Sequence, residues 1–206
     1  MKLPLLLGLA LASSALAAAP VEVIRNEKIV AYSETLQPAE SDTTSGGRPN
    51  VTVYVSDGVV ETRTSDGRQV TEAVKRGEAV YRRANEPLRN AGPTELRLVR
   101  IDFLGAESKA VWGKGGLAPD YRMLLENGHA RVYDIRIAAG TSEPQHTHQD
   151  RVVIGLSGAQ LKHLLPDGQT VDSNLKTGEV AWRRGQTHIG QNVGKTDLWA
   201  IAVEPK

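Results

Sequence analysis

An all-β fold, built from two tandem copies of one barrel or sandwich unit, is what this sequence predicts. Three observations carry that expectation. The chain matches itself at an offset of 101 to 102 residues, in four blocks that keep their order. Each copy holds short apolar or alternating runs bounded by Gly-containing turns. No stretch beyond the first twenty residues shows a 3.6-residue apolar period.

Residues 1–19 read as a leader rather than as part of the fold. Lys2 precedes a mostly apolar run from Leu3 to Ala12, and Ala15-Leu16-Ala17 is a small-residue cleavage signal. The run is short for a span of about 20 residues, so no stable membrane anchor is expected. The mature protein is expected to be exported, periplasmic or secreted from a bacterium. Its 206-residue precursor has no Cys, which excludes disulfides, zinc–thiolate sites and thiol catalysis. Its 25 basic and 24 acidic residues leave a formal charge of +1, so no nucleic-acid partner is expected.

The matched blocks define the copies. Asn26–Tyr32 falls on Asn127–Tyr133, and Asp66-Gly67-Arg68-Gln69-Val70 on Asp167-Gly168-Gln169-Thr170-Val171. Lys75–Arg83 falls on Lys176–Arg184, and Asn90-Ala91-Gly92 on Asn192-Val193-Gly194. The copies run from 21 to 105 and from 120 to 206. Residues 104–120, with three Gly after Trp112 and then Pro119, read as the connector. Within the copies, Val51–Val55, Val152–Leu156 and Leu198–Val203 are apolar strands. Arg131–Ile137 alternates as a half-buried strand does, and Ser65-Asp66-Gly67 and Pro166-Asp167-Gly168 are hairpin turns. Tyr133, Trp182 and Trp199 are expected in the core or between the copies.

Chemistry concentrates in the second copy. His146 and His148 stand two apart, so a strand would put both imidazoles on one face. His188, on a later strand, would close a three-nitrogen site if the strands are neighbours. Neutral imidazole is a ligand for Zn, Fe, Ni and Cu, and three protein ligands leave positions open for water or substrate. All five His lie at 129, 146, 148, 163 and 188, so the first copy has none. His129, in an Asn-Gly turn, reads as a surface residue, and His163 as an ordinary strand residue.

These two segments resemble the paired motifs of the cupin superfamily. Gly140, His146, His148 and Gly158 match the first motif; Gly178, Gly185, His188 and Asn192 match the second. The resemblance spans the second copy, and the duplication extends it to the first. It implies two tandem cupin jelly-roll β-barrels, a bicupin, with one divalent transition metal (Fe, Mn, Zn, Ni or Cu) on His146, His148 and His188. Two departures stand out. Arg151 occupies the motif's Glu position, and a guanidinium cannot ligate a metal. Arg183 or Arg184 stands where the second motif has Pro. Asp150 is a candidate substitute ligand. Arg151 is a candidate for holding an anionic substrate or for a surface ion pair. Gln160 and Asn192 are candidate hydrogen-bond donors behind the metal, Asn192 equally a turn cap. The first copy reads as a degenerate partner barrel.

Two functions fit the sequence: a metal-binding bicupin that takes a small molecule, or a non-haem metal-dependent oxygenase or isomerase. Asp150 and Glu143 are the only bases in view. Assembly as a homo-oligomer is left open.

Overall fold

The computed structural model describes residues 19–42, 47–64, 66–109 and 118–206. Nearly all of the leader, the middle of the connector with Trp112, and the turn residue Ser65 lie outside the described residues.

The described residues form seventeen strands and no helix. The first half runs β1 (Val21–Arg25), β2 (Ile29–Leu36), β3 (Asn50–Tyr54), β4 (Gly58–Arg63), β5 (Gln69–Val74), β6 (Ala79–Arg82), β7 (Leu88–Asn90) and β8 (Leu96–Phe103). The second runs β9 (Tyr121–Glu126), β10 (Ala130–Ile137), β11 (His146–His148), β12 (Arg151–Ser157), β13 (Leu161–Leu164), β14 (Thr170–Asp172), β15 (Val180–Arg183), β16 (Gln186–Asn192) and β17 (Leu198–Pro205). One five-stranded sheet has the order β1-β2-β8-β3-β6, and its counterpart the order β9-β10-β17-β12-β15. Facing them are β5-β4-β7 in the first half and β14-β13-β16-β11 in the second. The fold is therefore one antiparallel jelly roll used twice, with β11, which carries the His pair, as the second half's additional strand.

The repetition reaches single hydrogen bonds. Asn90 Nδ2 donates to the carbonyls of Leu36 and Thr94, while its Oδ1 accepts from the Gly92 N–H. Asn192 does the same with Ile137, Thr196 and Gly194. Gly77 and Gly178 both take positive φ, +85° and +80°, at the turn where Lys75 and Lys176 N–H groups are capped by Glu78 and Glu179. Only Gly enters that backbone region without strain.

The largest apolar core lies between the halves. Ile29, Val51, Val53 and Ile101 from the first five-stranded sheet meet Val132, Val152, Ile154 and Val203 from the second. Smaller cores fill each barrel: Leu36, Tyr54, Val60 and Leu98 in the first, Tyr133, Ile135, Leu161 and Ala202 in the second. The central strands of both five-stranded sheets are thus buried on two faces, which is why β12 and β17 read as continuous apolar runs instead of alternating. Trp182 and Trp199 pack against the shared core, and Trp199 Nε1 donates to Asp134 at 2.9 Å.

One expectation needs correction here. His129 is not a surface residue: it is buried, stacked on Phe103 at 5.1 Å and 14° and on Tyr81 at 5.8 Å. The Asn127-Gly128 turn faces the first barrel, not solvent, so the ring closes the seam between halves.

Candidate metal centre

Strand geometry assembles the three imidazoles. On β11 His146 and His148 share the inward face, with the exposed Thr147 between them. β11 pairs antiparallel with β16, and His146 stands directly opposite His188. A cross-strand pair in that register brings Cβ atoms to about 5 Å, and the His146 and His188 ring centroids are 4.6 Å apart. All three residues are buried, and their ligand nitrogens lie within 4.8 Å of one another.

The hydrogen bonds behind the rings settle which nitrogens are bare. His146 Nδ1 is 2.9 Å from the Pro144 carbonyl, which can only accept, so Nδ1 carries the proton. His148 Nδ1 stands 3.3 Å from the Glu204 carboxylate, with the same consequence. Both Nε2 atoms therefore present lone pairs, and they face each other at 3.0 Å. The Tyr121 hydroxyl, 3.0 Å from His148 Nε2 and 3.4 Å from that of His146, has one proton to give. His188 Nδ1 is buried without a hydrogen-bond partner. Two bare nitrogens facing each other beside a third buried imidazole make a donor set that fits a cation. Two nitrogens each about 2.1 Å from one ion lie about 3.0 Å apart at right angles, so the observed spacing fits a ligated ion.

Burial also keeps the rings neutral. It holds His148 and His188 down at about 2 and His163 at about 4, with neighbouring Arg151 and His charges adding, and it lowers His146 too. The unfolded imidazoles titrate near 6.5, so below that pH the unfolded chain binds protons that the folded chain refuses, and stability falls with pH. Glu143 works in the opposite sense. Burial, with Asp120 adding, raises its carboxyl to about 7, so its contribution is present below 4.5 and lost as pH rises through 7. Glu204 and Asp102, also raised by burial, act in the same sense as Glu143; the four imidazoles, whose unfolded forms titrate inside the interval from pH 7 to pH 5, outweigh these three carboxyls. The melting temperature of the metal-free protein should fall between pH 7 and pH 5, measured by scanning calorimetry. A rise over that interval would contradict neutral buried imidazoles.

Each residue singled out from the sequence has a definite place. Asp150 is turned outward: it accepts the Gly185 N–H at 2.7 Å and pairs with Arg184 at 3.1 Å, so it is not the substitute ligand. Gln160 is exposed, away from the imidazoles, so its candidacy behind the metal is corrected. Its backbone carbonyl accepts from Val193 in the loop next to Asn192. Asn192 is buried as a turn cap. Arg151 is buried at 5% exposure and forms no ion pair within 4.0 Å among the described residues, which removes the surface ion pair. His163 stacks on His188 at 3.8 Å and 10° and is bonded to Gln186, so it braces a ligand ring rather than serving as a plain strand residue.

Two site residues carried no adequate signal in the sequence, while Glu143 was in view as a base. Tyr121 and Glu204 arrive from strands distant in the chain, without motif spacing. Glu143 stands three residues before the His pair, not after it as the family carboxylate does. Its Oε2 is 4.0 Å from His146 Nε2, and its Oε1 is buried without a partner. A Cβ on Gly190 would sit 2.2 Å from that Oε2, so Gly190 is what leaves room for the carboxylate. His188 and His163 open onto a cavity of about 50 Å³ lined by Arg151, Glu143 and Tyr121 on its polar side and by Ile135, Val153 and Leu161 on its apolar side.

The first barrel carries its own cation instead. Arg100, 1% exposed, binds Glu34 at 2.8 Å, Asp42 at 2.8 Å and Asp102 at 2.9 Å. By strand register Arg100 stands where the second barrel has Ala202, and Asp102 where it has Glu204. At the offset of 101, Asp42 corresponds to Glu143. A guanidinium on the chain occupies the polar heart of one barrel; the other leaves its heart to imidazoles.

No family model matches the sequence, and no curated protein does. Solved structures match along most of the chain. AerE from Microcystis aeruginosa is similar over 91% of this chain and 97% of its own, at TM-score 0.63 and 13% identity. A cupin 2 conserved barrel domain protein from Leptotrichia buccalis is similar over 95% and 92%, at TM-score 0.58 and 16% identity. A variant of oxalate decarboxylase from Bacillus subtilis covers 86% of this chain with 69% of its own, at TM-score 0.61 and 12% identity. Identity this low speaks for the fold alone.

Proposed function

The chain has the cupin fold in two tandem copies, and on that premise we propose that it is an exported metal-binding protein. In this reading the second barrel holds one divalent transition ion on His146, His148 and His188 and offers the ion's open positions to a small molecule. The first barrel is the structural partner. The observation that carries the reading is the pair of bare Nε2 atoms facing each other at 3.0 Å, with His188 directly across the strand pair from His146. Pro144 and Glu204 orient the first two rings from behind, as supporting groups do at metal sites. Imidazole ligation suits Fe, Zn, Ni or Cu, and Mn joins them because oxalate decarboxylase from Bacillus subtilis, which is similar in fold, has Mn(II) centres. The leader supports export.

Glu143 favours a second reading, an oxygenase or isomerase. A carboxyl raised to about 7 beside an open metal position is poised to take and return a proton near neutral pH. An ion there would supply Lewis-acid or, as iron, oxygen chemistry. The chain's own residues would orient the substrate and hold that proton. Purified protein loaded with Fe(II) tests the two. Stoichiometric iron with neither oxygen uptake nor an isomerised product across a panel of small carboxylates supports the binder. Steady oxygen uptake that disappears in Glu143→Gln while iron is retained supports the enzyme. Failure to take up any of the five metals contradicts both.

A further inference from the structure

Arg151 is the least expected group in the second barrel. It stands where the family's metal-ligating carboxylate would be, and its side chain is buried without a carboxylate within 4.0 Å among the described residues. Nη1 donates to the Gln149 and Arg184 carbonyls at 3.3 and 3.4 Å, and among the described residues the guanidinium fork makes no other hydrogen bond. Burial lowers its pKa, yet a guanidinium stays charged at neutral pH. A buried unpaired cation is costly unless something balances it. Buried pairing is what this chain uses elsewhere: Arg100, equally buried, has three carboxylates around it.

Charge balance points the same way. Around the imidazoles stand Arg151 as the cation and Glu143 and Glu204 as carboxylates. The other lining guanidinium, Arg183, is paired with Glu179 at 3.4 Å. A divalent ion added to one guanidinium and two carboxyl groups leaves the cavity net positive whether or not Glu143 holds its proton, and a bound monoanion offsets that charge. The remaining wall is hydrocarbon: Ile135, Ile137, Val153, Leu161, Leu198 and Ala200. An inorganic anion would leave that wall facing water.

We propose that the cavity takes a small aliphatic monocarboxylate, its oxygens set between the Arg151 fork and the open face of the three-His centre, its hydrocarbon end on the apolar wall. The inference rests on the metal reading, and the two can fail separately. Arg151 is a binding residue here, not a metal ligand.

The probes are isobutyrate, isobutyramide and inorganic phosphate, titrated calorimetrically into wild-type protein of measured metal content. Isobutyrate should bind the loaded protein at least about tenfold more tightly than the isosteric neutral amide, the scale of a charge-assisted hydrogen bond. It should raise the melting temperature, and phosphate should not compete. Arg151→Met should keep the metal and lose at least about tenfold in isobutyrate affinity, with Arg151→Lys between. The comparison of acid with amide needs no variant, so misfolding of Arg151→Met does not remove the test. Equal affinity for acid and amide, displacement by phosphate, or unchanged isobutyrate binding in a metal-replete Arg151→Met protein would each overturn the proposal. A wild-type protein that cannot be loaded overturns the metal reading instead; isobutyrate that still discriminates against the amide there would sustain the Arg151 part alone.

Discussion

Arg100→Met should lower the stability of the protein by about 3–5 kcal/mol, the cost of leaving buried charge without its partner. The guanidinium is 1% exposed and is the shared partner of Glu34, Asp42 and Asp102. Removing it takes their shared cation from three carboxylates between β2, β8 and the 41–42 segment. They must then protonate, draw in water or push the strands apart. At roughly 2–4 °C per kcal/mol for a chain of this size, the melting temperature should fall by about 6–20 °C. Replacing the whole group, with Glu34→Met, Asp42→Leu and Asp102→Leu added, should recover most of that loss, since apolar side chains of similar volume replace buried ion groups at little cost. Calorimetry on the single and quadruple variants is the check. An Arg100→Met protein within about 1 kcal/mol of wild type, the range of an exposed pair, would show that the cluster is solvated rather than structural.

His188→Ala should empty the metal centre while leaving the fold intact. His188 is 1% exposed, faces His146 across the β11–β16 pair and stacks on His163. Without it the site keeps two imidazoles, and no other nitrogen takes its place: His163 is held by Gln186. Affinity should fall by more than the roughly 10–100-fold that loss of a supporting residue costs. His148→Ala should behave the same way, whereas Glu204→Gln, which keeps a carbonyl acceptor behind His148, should fall within that 10–100-fold range. His129→Ala should leave metal content untouched and cost stability instead, because its ring closes the seam on Phe103 and Tyr81. Metal analysis of each dialysed variant separates these outcomes, and full metal retention in His188→Ala would mean that the ligands lie elsewhere.

How much of this could be read beforehand follows from where the information sits in the chain. The His146–His148 spacing is local, and period-2 geometry turns it into a shared face without knowledge of the partner strands. The duplication is legible because turns such as Lys75–Glu78 and Lys176–Glu179 require the same side chains for the same hydrogen bonds. Arg151 was visible as a charge in the wrong place, but its burial was not. Burial depends on β12 being covered on both faces, and an apolar run does not say what covers it. The shared core between the halves was hidden for the same reason. Tyr121 and Glu204 reach the centre from β9 and β17, and nothing in their neighbourhoods marks an ordinary strand Tyr or Glu as facing inward. Arg100, within Leu98-Val99-Arg100-Ile101, looks like the polar position of an alternating strand. Its inward direction is set by register with β2 and β3.

The most direct test of the three-His centre is an anomalous difference map, collected at the edge of the loaded metal, from crystals of untagged mature protein. One peak per chain should appear, within about 2.0–2.3 Å of nitrogens of His146, His148 and His188. No peak should appear beside Arg100 in the first barrel. A peak in both barrels, or a single peak that omits any one of the three imidazoles, would contradict the centre.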